Sequence, residues 1–215
     1  MSHLIFHIES SLKNANNCAS NLSKEVLDIE GMSGYKTRHF YNNICSIKDA
    51  VYLEIGCFKG SSLCAAMYKN SMSCVAIDNW TLWEGPKDEF LENYNKFKGI
   101  NNCKFIEQDC WTIECSELPK FNIYMYDGHH SEDSHYKAIN HFYDCLQDKF
   151  IYLVDDWNWQ EVRSGTINSI KDNNLNILYK KEIFTENDPG REGKFSEWHN
   201  GIGIFVLEKK YKYEK

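Results

Sequence analysis

The chain is poor in the features that mark several protein classes. Proline occurs three times in 215 residues, at Pro86, Pro119 and Pro189, which excludes a proline-rich linker. No Cys-x-x-Cys pair is found among the nine cysteines, which run from Cys18 to Cys145. That odd, unpatterned set argues against a disulfide scaffold and against a zinc ribbon. No apolar run approaches the roughly 20 residues of a membrane span. The stretch from Met1 to Ile8 is too short and too polar for a secretory leader, so a reducing, cytoplasmic location is the expectation. Basic charge is scarce too: 24 Lys and Arg against 31 Asp and Glu leave a net charge of −7. A general nucleic-acid binder needs a basic face. Neither nucleic acid nor membrane is therefore expected as a partner, and the short basic run Lys209 to Lys215 reads as a solvated end. The dinucleotide fingerprint Gly-x-Gly-x-x-Gly is missing as well.

What is present suits one domain with a sizeable core: 42% of residues are hydrophobic and 14% aromatic. Residues 1–50 read as a helical extension. Leu22, Val26 and Ile29 recur at helical spacing before Gly31, and a second short helix is expected over Thr37 to Cys45. From Val51 the pattern changes to short apolar runs separated by helical stretches. Strands are expected at Val51–Ile55, Ser73–Ile77, Cys103–Glu107, Asn122–Tyr126, Phe150–Val154, Asn176–Phe184 and Ile202–Glu208. Helices are expected from Ser61 to Tyr68, behind Pro86 with Phe90, Leu91, Tyr94 and Phe97 on one face, along the Tyr136, Ile139, Tyr143, Leu146 stripe, and from Glu161 to Lys171. Strands alternating with helices predict an α/β, doubly wound, Rossmann-like sheet of seven strands, mostly parallel. Only a long polar loop separates the last two strands, which predicts a C-terminal antiparallel hairpin. Ligands bind such sheets beyond the carboxyl ends of the strands.

The loops at those ends carry the chemistry. After the first strand comes Glu54-Ile55-Gly56-Cys57-Phe58-Lys59-Gly60-Ser61-Ser62. Gly56 permits a sharp turn, and Gly60 lets the next helix begin close to an anionic ligand group. An ordinary strand–turn–helix with two convenient glycines fits the same residues. Asp78 ends the second strand, where a carboxylate can accept both hydroxyls of a ribose or simply cap a turn. Asp109 and Trp111 follow the third strand. The carboxylate could accept from an exocyclic amine and the indole could stack on a purine, or both could be surface turn residues. Trp80 and Trp83 are similar candidates. The fourth loop, Asp127-Gly128-His129-His130, and the fifth, Asp155-Asp156-Trp157, end two strands that are neighbours in this fold. Three converging carboxylates repel unless a cation neutralises them, and all-oxygen ligands suit Mg²⁺ better than Zn²⁺. Taken singly, Asp156 reads equally well as a helix cap and Asp155 as a solvated residue. His129 and His130 are the bases nearest this cluster. His135 and His141 read as structural.

The ordered set Glu54-x-Gly56-x-x-x-Gly60, Asp78 and Asp109 resembles the cofactor site of class I S-adenosylmethionine-dependent methyltransferases. Asp127-Gly128-x-His130 followed by Asp155-Asp156 resembles, more narrowly, the macrocin O-methyltransferase type, which methylates sugar hydroxyls with Mg²⁺. The resemblance runs from about Gly31 to Glu208 and makes residues 51–215 the methyltransferase domain. It implies that Gly56, Gly60 and Ser61 line the methionine part of S-adenosylmethionine, with Glu54 supporting that loop. It further implies Asp78 on the ribose, Asp109 and Trp111 at the adenine, Asp127, Asp155 and Asp156 on the metal (Asp127 also facing the cofactor), and His130 as the base. The expected substrate is a small molecule or glycan with vicinal hydroxyls. The alternatives are a metal-independent methyltransferase and a catalytically inactive nucleotide-binding module. Trp157 and Trp159 read as sugar-stacking, core or lid residues. The loop 185–201, with Pro189, Gly190 and Gly193, reads as a lid or a hairpin tip. The N-terminal helices read as a cap over the site or as a contact in a homo-oligomer.

Overall fold

Strands such as Val51–Ile55 and Phe121–Tyr126, apolar on both sides of the pleat, are stable only with both faces covered. The computed structural model describes residues 3–82, 85–185 and 197–210 and meets that demand. Its sheet holds β1 (Val51–Ile55), β2 (Ser73–Asp78), β3 (Asn102–Glu107), β4 (Phe121–Tyr126), β5 (Leu146–Asp155), β6 (Leu175–Ile183) and β7 (Ile202–Lys209). The helices are α1 (His3–Asn16), α2 (Lys24–Leu27), α3 (Tyr35–Ile44), α4 (Ser61–Met67), α5 (Lys87–Phe97), α6 (Glu132–Phe142) and α7 (Gln160–Asp172). Strand order is β3-β2-β1-β4-β5-β7-β6. β1 to β5 are parallel, and β7 runs antiparallel to β5 and β6. The doubly wound, mostly parallel sheet and its antiparallel C-terminal pair are as the sequence predicts.

One face packs under α1, α3, α4 and α5. There Ile8, Leu12, Phe40, Tyr41 and Ile44 join Tyr52, Met125 and Leu153 in a single layer. The N-terminal helices thus complete the cover of the sheet. The other face packs under α6 and α7, through Ala138, Ile139, Phe142, Val162 and Ile170. No helix among the described residues is long and apolar enough to cross a membrane.

Two expectations change, and one cysteine pair is bridged. The Leu22–Ile29 stretch forms one helical turn, α2, and not a full helix. The cause is Arg38, buried, whose guanidinium donates to the carbonyls of Leu27, Ile29 and Ser33. Those carbonyls accept from a side chain where a continued helix would use its own backbone. The α6 face also rotates: the helix ends at Phe142, Leu146 already belongs to β5, and the buried positions are Ser134, His135, Ala138, Ile139 and Phe142. Tyr136 instead reaches the Asp172 carboxylate with its hydroxyl. Finally, Cys74 and Cys103, register partners on β2 and β3, form a disulfide, while the other seven cysteines are free. Parallel register places both Cβ atoms on the same face of adjacent strands, close enough to bridge. One bridge among nine cysteines is not the disulfide scaffold that the sequence argues against.

Candidate active site

Side-chain alternation decides which residues meet at the carboxyl edge. Tyr52, Ala76, Met125 and Leu153 face the layer beneath the N-terminal helices. Two residues on from each, Glu54, Asp78, Asp127 and Asp155 face the same way. Four neighbouring strands thus each contribute an acid to one side of one edge. Asp127 keeps the sheet pattern beyond β4, since its N–H donates to the Ile55 carbonyl at 2.9 Å.

The loop after β1 turns at Gly56, with φ +85°, and at Gly60, with φ +83°. Glu54 is fully buried. Its carboxylate accepts from Tyr52 Oη at 2.7 Å and from Ser62 Oγ at 2.6 Å, tying β1 to the first turn of α4 across the loop. Burial pushes its pKa up to about 8. Ser61, also buried, meets Ser33 Oγ at 3.0 Å, so the segment before α3 lies against the loop. Asp78 is engaged as well: Oδ2 accepts from the N–H groups of Cys57 (2.7 Å) and Phe58 (3.0 Å), and Oδ1 from Trp80 N–H (2.8 Å). The carboxylate therefore shapes the glycine loop, and its remaining lone pairs are what a ribose would meet. Replacing Asp78 with Ala is expected to weaken S-adenosylhomocysteine binding by at least about tenfold, because three partly buried backbone donors lose their acceptor. Unchanged affinity by calorimetry would remove Asp78 from the cofactor site.

The tryptophans divide. Trp80 packs on Phe90 and donates its indole N–H to Phe58 O, so it is a pillar of the loop. Trp111 lies against Tyr126 and His141, beside Asp109, whose carboxylate caps the Trp111 N–H at 3.1 Å. Trp157 is fully buried, packs on Phe205 and donates its indole N–H to Glu182, which makes it a core residue. Trp159 is 37% exposed and meets the His130 ring edge-on at 4.9 Å. Trp83 and residues 186–196 of the expected lid lie outside the described residues.

Around His130 the acids converge. Its Nε2 lies 2.9 Å from Asp156 Oδ2 and 3.7 Å from Asp127 Oδ1. Asp127, His130 and Asp156 each offer a ligand atom, all within 4.8 Å of one another. Asp156 adopts φ +54°, a strained backbone for this residue, and its Oδ1 accepts from Asn200 Nδ2 at 2.6 Å. Asp155 stands behind it, 4% exposed, with Oδ1 lacking any hydrogen-bond partner. Burial, then the charges of Asp127 and Asp156, raise the Asp155 carboxyl well above its ordinary range. Burial lowers the pKa of His130, but the Asp127 and Asp156 carboxylates outweigh it and raise the imidazole above its usual value. Asp127, His130 and Asp156 form a donor set that suits a divalent cation, whereas Asp155, with its orphaned oxygen, is not in that 4.8 Å group. His129 is exposed and turns its Nδ1 to the Ser131 N–H. His135 is fully buried between α6 and the sheet, against Tyr126.

Sequence reasoning missed Asn200. Asn200 reaches Asp156 from the far side of the β6–β7 connection, and no local pattern announces it.

No protein-family model matches the sequence, and no curated protein is similar to it. Solved structures are similar in architecture. They include an O-methyltransferase from Bacillus cereus in complex with SAH (TM-score 0.57, 12% identity, covering 93% of this chain and 91% of that one). Precorrin-6y C5,15-methyltransferase from Geobacter metallireducens GS-15 is another (TM-score 0.55, 16% identity, 80% and 88%). A third is TrmN from Thermus thermophilus (TM-score 0.58, 11% identity, 86% and 52%), of which the chain spans about half the length. At these identities the likeness is one of fold: the chain has the fold of S-adenosylmethionine-dependent methyltransferases.

Proposed function

We propose that the chain is an S-adenosylmethionine-dependent methyltransferase that methylates a hydroxyl of a sugar or other vicinal diol with the help of Mg²⁺. The reading rests on one observation above others: Asp127, His130 and Asp156 converge within 4.8 Å, beside the glycine loop and Asp155, at the carboxyl edge. Bound S-adenosylmethionine supplies a methyl group already activated as a sulfonium. Asp127, Asp155 and Asp156 would hold Mg²⁺, which would supply Lewis acidity toward the acceptor hydroxyl.

The chain's own residues do the rest. Gly56 and Gly60 bring backbone close to the cofactor, Asp78 holds the loop that receives it, and Asp109 borders the adenine end. Asp156 fixes the His130 ring through Nε2, and a cation that takes up the Asp127 and Asp156 charge would remove what raises the imidazole, freeing Nδ1 to take the proton of the acceptor hydroxyl. Trp159, exposed beside His130, offers a face for a sugar ring. Much of the rate gain then comes from holding oxygen, methyl and sulfur in line.

The 4.8 Å cluster also favours a second arrangement, in which His130 is itself a ligand with Asp127 and Asp156. A nitrogen in the set shifts preference from Mg²⁺ toward Mn²⁺ or another transition metal.

Calorimetry with S-adenosylhomocysteine, with NADH as control, tests the cofactor class. Micromolar binding of the first and none of the second is expected, and the reverse would leave a nucleotide-binding module. An acceptor screen of sugars and catechols with Mg²⁺, Mn²⁺ or EDTA then tests the reaction. Asp155→Ala is expected to abolish turnover while leaving S-adenosylhomocysteine affinity within a few fold, as loss of a metal ligand but not of the cofactor site. Full turnover in that variant, or in EDTA, would remove the metal and leave the metal-independent enzyme.

A further inference from the structure

Two free thiols touch beside the segment that carries Asp109 and Trp111. Cys115 opens a single helical turn, Cys115–Glu117, and Cys145 closes another, Tyr143–Cys145, just before β5. Their sulfurs lie 3.3 Å apart, although the residues are 30 positions apart in the chain. Cys115 Sγ also lies 3.1 Å from the His141 carbonyl oxygen at the end of α6. Cys145 donates its thiol proton to the Phe142 carbonyl at 3.2 Å, so its sulfur is left to accept from Cys115. Exposure separates the two. Cys145 is fully buried, while Cys115 is partly open to solvent. Burial, and then the neighbouring Cys115 thiol, push the Cys145 thiol well above its ordinary range, so it stays protonated. A solvent-open sulfur in contact with a buried one is the arrangement of an attacking and a resolving thiol.

We propose that Cys115 and Cys145 are an oxidation site, at which a hydroperoxide converts the pair to a reversible disulfide that fastens the Asp109–Trp111 segment to the end of α6. The Cys115 sulfur attacks the terminal oxygen of the hydroperoxide, the O–O bond breaks, and a sulfenic acid and an alcohol (water, from hydrogen peroxide) result. The Cys145 sulfur then attacks the Cys115 sulfur. The S–O bond breaks, and the hydroxyl leaves as water with the Cys145 proton. Two thiols are oxidised by two electrons in all, and one hydroperoxide is reduced. The sulfurs need to close by only about 1 Å, which side-chain rotation in two short turns supplies. Trp111 already meets the His141 ring edge-on at 5.6 Å, so the bond makes an existing packing contact covalent. The modification needs neither cofactor nor metal.

Treatment of the full chain with hydrogen peroxide, followed by alkylation and peptide mass mapping, tests this in wild type, Cys115→Ser and Cys145→Ser. In wild type a peptide linked through Cys115 and Cys145 is expected, with two of the seven free thiols lost. Dithiothreitol should release that link. The oxidised chain should melt roughly 5–10 °C higher, as a bridge closing a loop of this length implies. Amide exchange from Trp111 to Glu117 should slow by about tenfold or more, because opening of that segment is now tethered. In Cys145→Ser, dimedone should trap a sulfenic acid at Cys115. In Cys115→Ser, Cys145 should stay a thiol, because burial keeps peroxide from it. Absence of the link in wild type, or a link from either cysteine to a different partner, overturns the proposal. A sulfenic acid at Cys145 and none at Cys115 overturns the assigned roles, and a link that leaves exchange unchanged overturns the fastening. Should Cys145→Ser fail to fold, Cys115→Ser, altered on a partly open turn, still decides whether Cys115 is the sulfur that peroxide reaches.

Discussion

Gly56→Ala is expected to destabilise the protein by about 3 kcal/mol or more and to weaken S-adenosylhomocysteine binding by about tenfold or more. A Cβ at position 56 would lie 1.9 Å from the Asp127 carbonyl oxygen and 2.6 Å from its carbon. Backbone, not a movable side-chain tip, blocks that space. The residue also holds φ +85°, a conformation that strains any residue with a Cβ. Relief requires β1 and the Asp127 segment to separate, which pulls the glycine loop from the acid cluster. Stability and ligand affinity should therefore fall together. For a chain of this size the melting temperature should drop by roughly 6–12 °C. Gly99→Ala is the control: it too has positive φ, +55°, but the atoms nearest its Cβ are 4.0 Å away. That change should cost only about 1 kcal/mol and leave binding intact. Equal effects at the two positions would show that backbone strain alone, and not the contact with Asp127, governs Gly56.

The second large effect is a dependence of stability on pH that one substitution should remove. Glu54 is fully buried, and burial lifts its pKa from 4.5 to about 8, against the lowering pull of the Ser62 and Tyr52 hydroxyls. The sign follows from proton counting. Between pH 4.5 and about 8 the folded chain keeps the Glu54 proton while the unfolded chain has released it. Stability from this group is fully present below the unfolded value and is lost as pH rises through that window. Above it the loss is constant, of the order of a few kcal/mol. Glu54→Gln carries no proton to lose and can still meet both hydroxyls, so the variant should equal wild type near pH 4 and exceed it by a few kcal/mol near pH 9. Urea unfolding of both proteins across that range checks the difference, in which other titrating groups such as His135 cancel. Parallel curves would mean that Glu54 is ionised in the fold.

Much of this molecule is legible in its sequence, for a definite reason. Each parallel strand here is a short apolar run bounded by a turn, and an acid or glycine at its carboxyl end interrupts the apolar pattern visibly. Glu54, Gly56, Asp78, Asp127, Asp155 and Asp156 all announce themselves this way. The α6 face was harder to read, because Tyr136 and Tyr143 look as apolar as the residues that are buried. The one-turn α2 was harder still, since Arg38 replaces the helix with side-chain hydrogen bonds across the chain.

The sequence by itself determined the strand–helix alternation, the antiparallel closing strands and the acids at the strand ends, because these depend on residue period and on neighbours a few positions away. Only the tertiary structure decided what those acids do to one another. Strand order β1-β4-β5 and the pleat place Glu54, Asp127 and Asp155 on one side, the positive φ of Asp156 turns it to His130, and a distant segment brings Asn200 to the cluster. Such contacts join residues far apart in the chain, so they arise from packing and leave no local trace in the order of the amino acids.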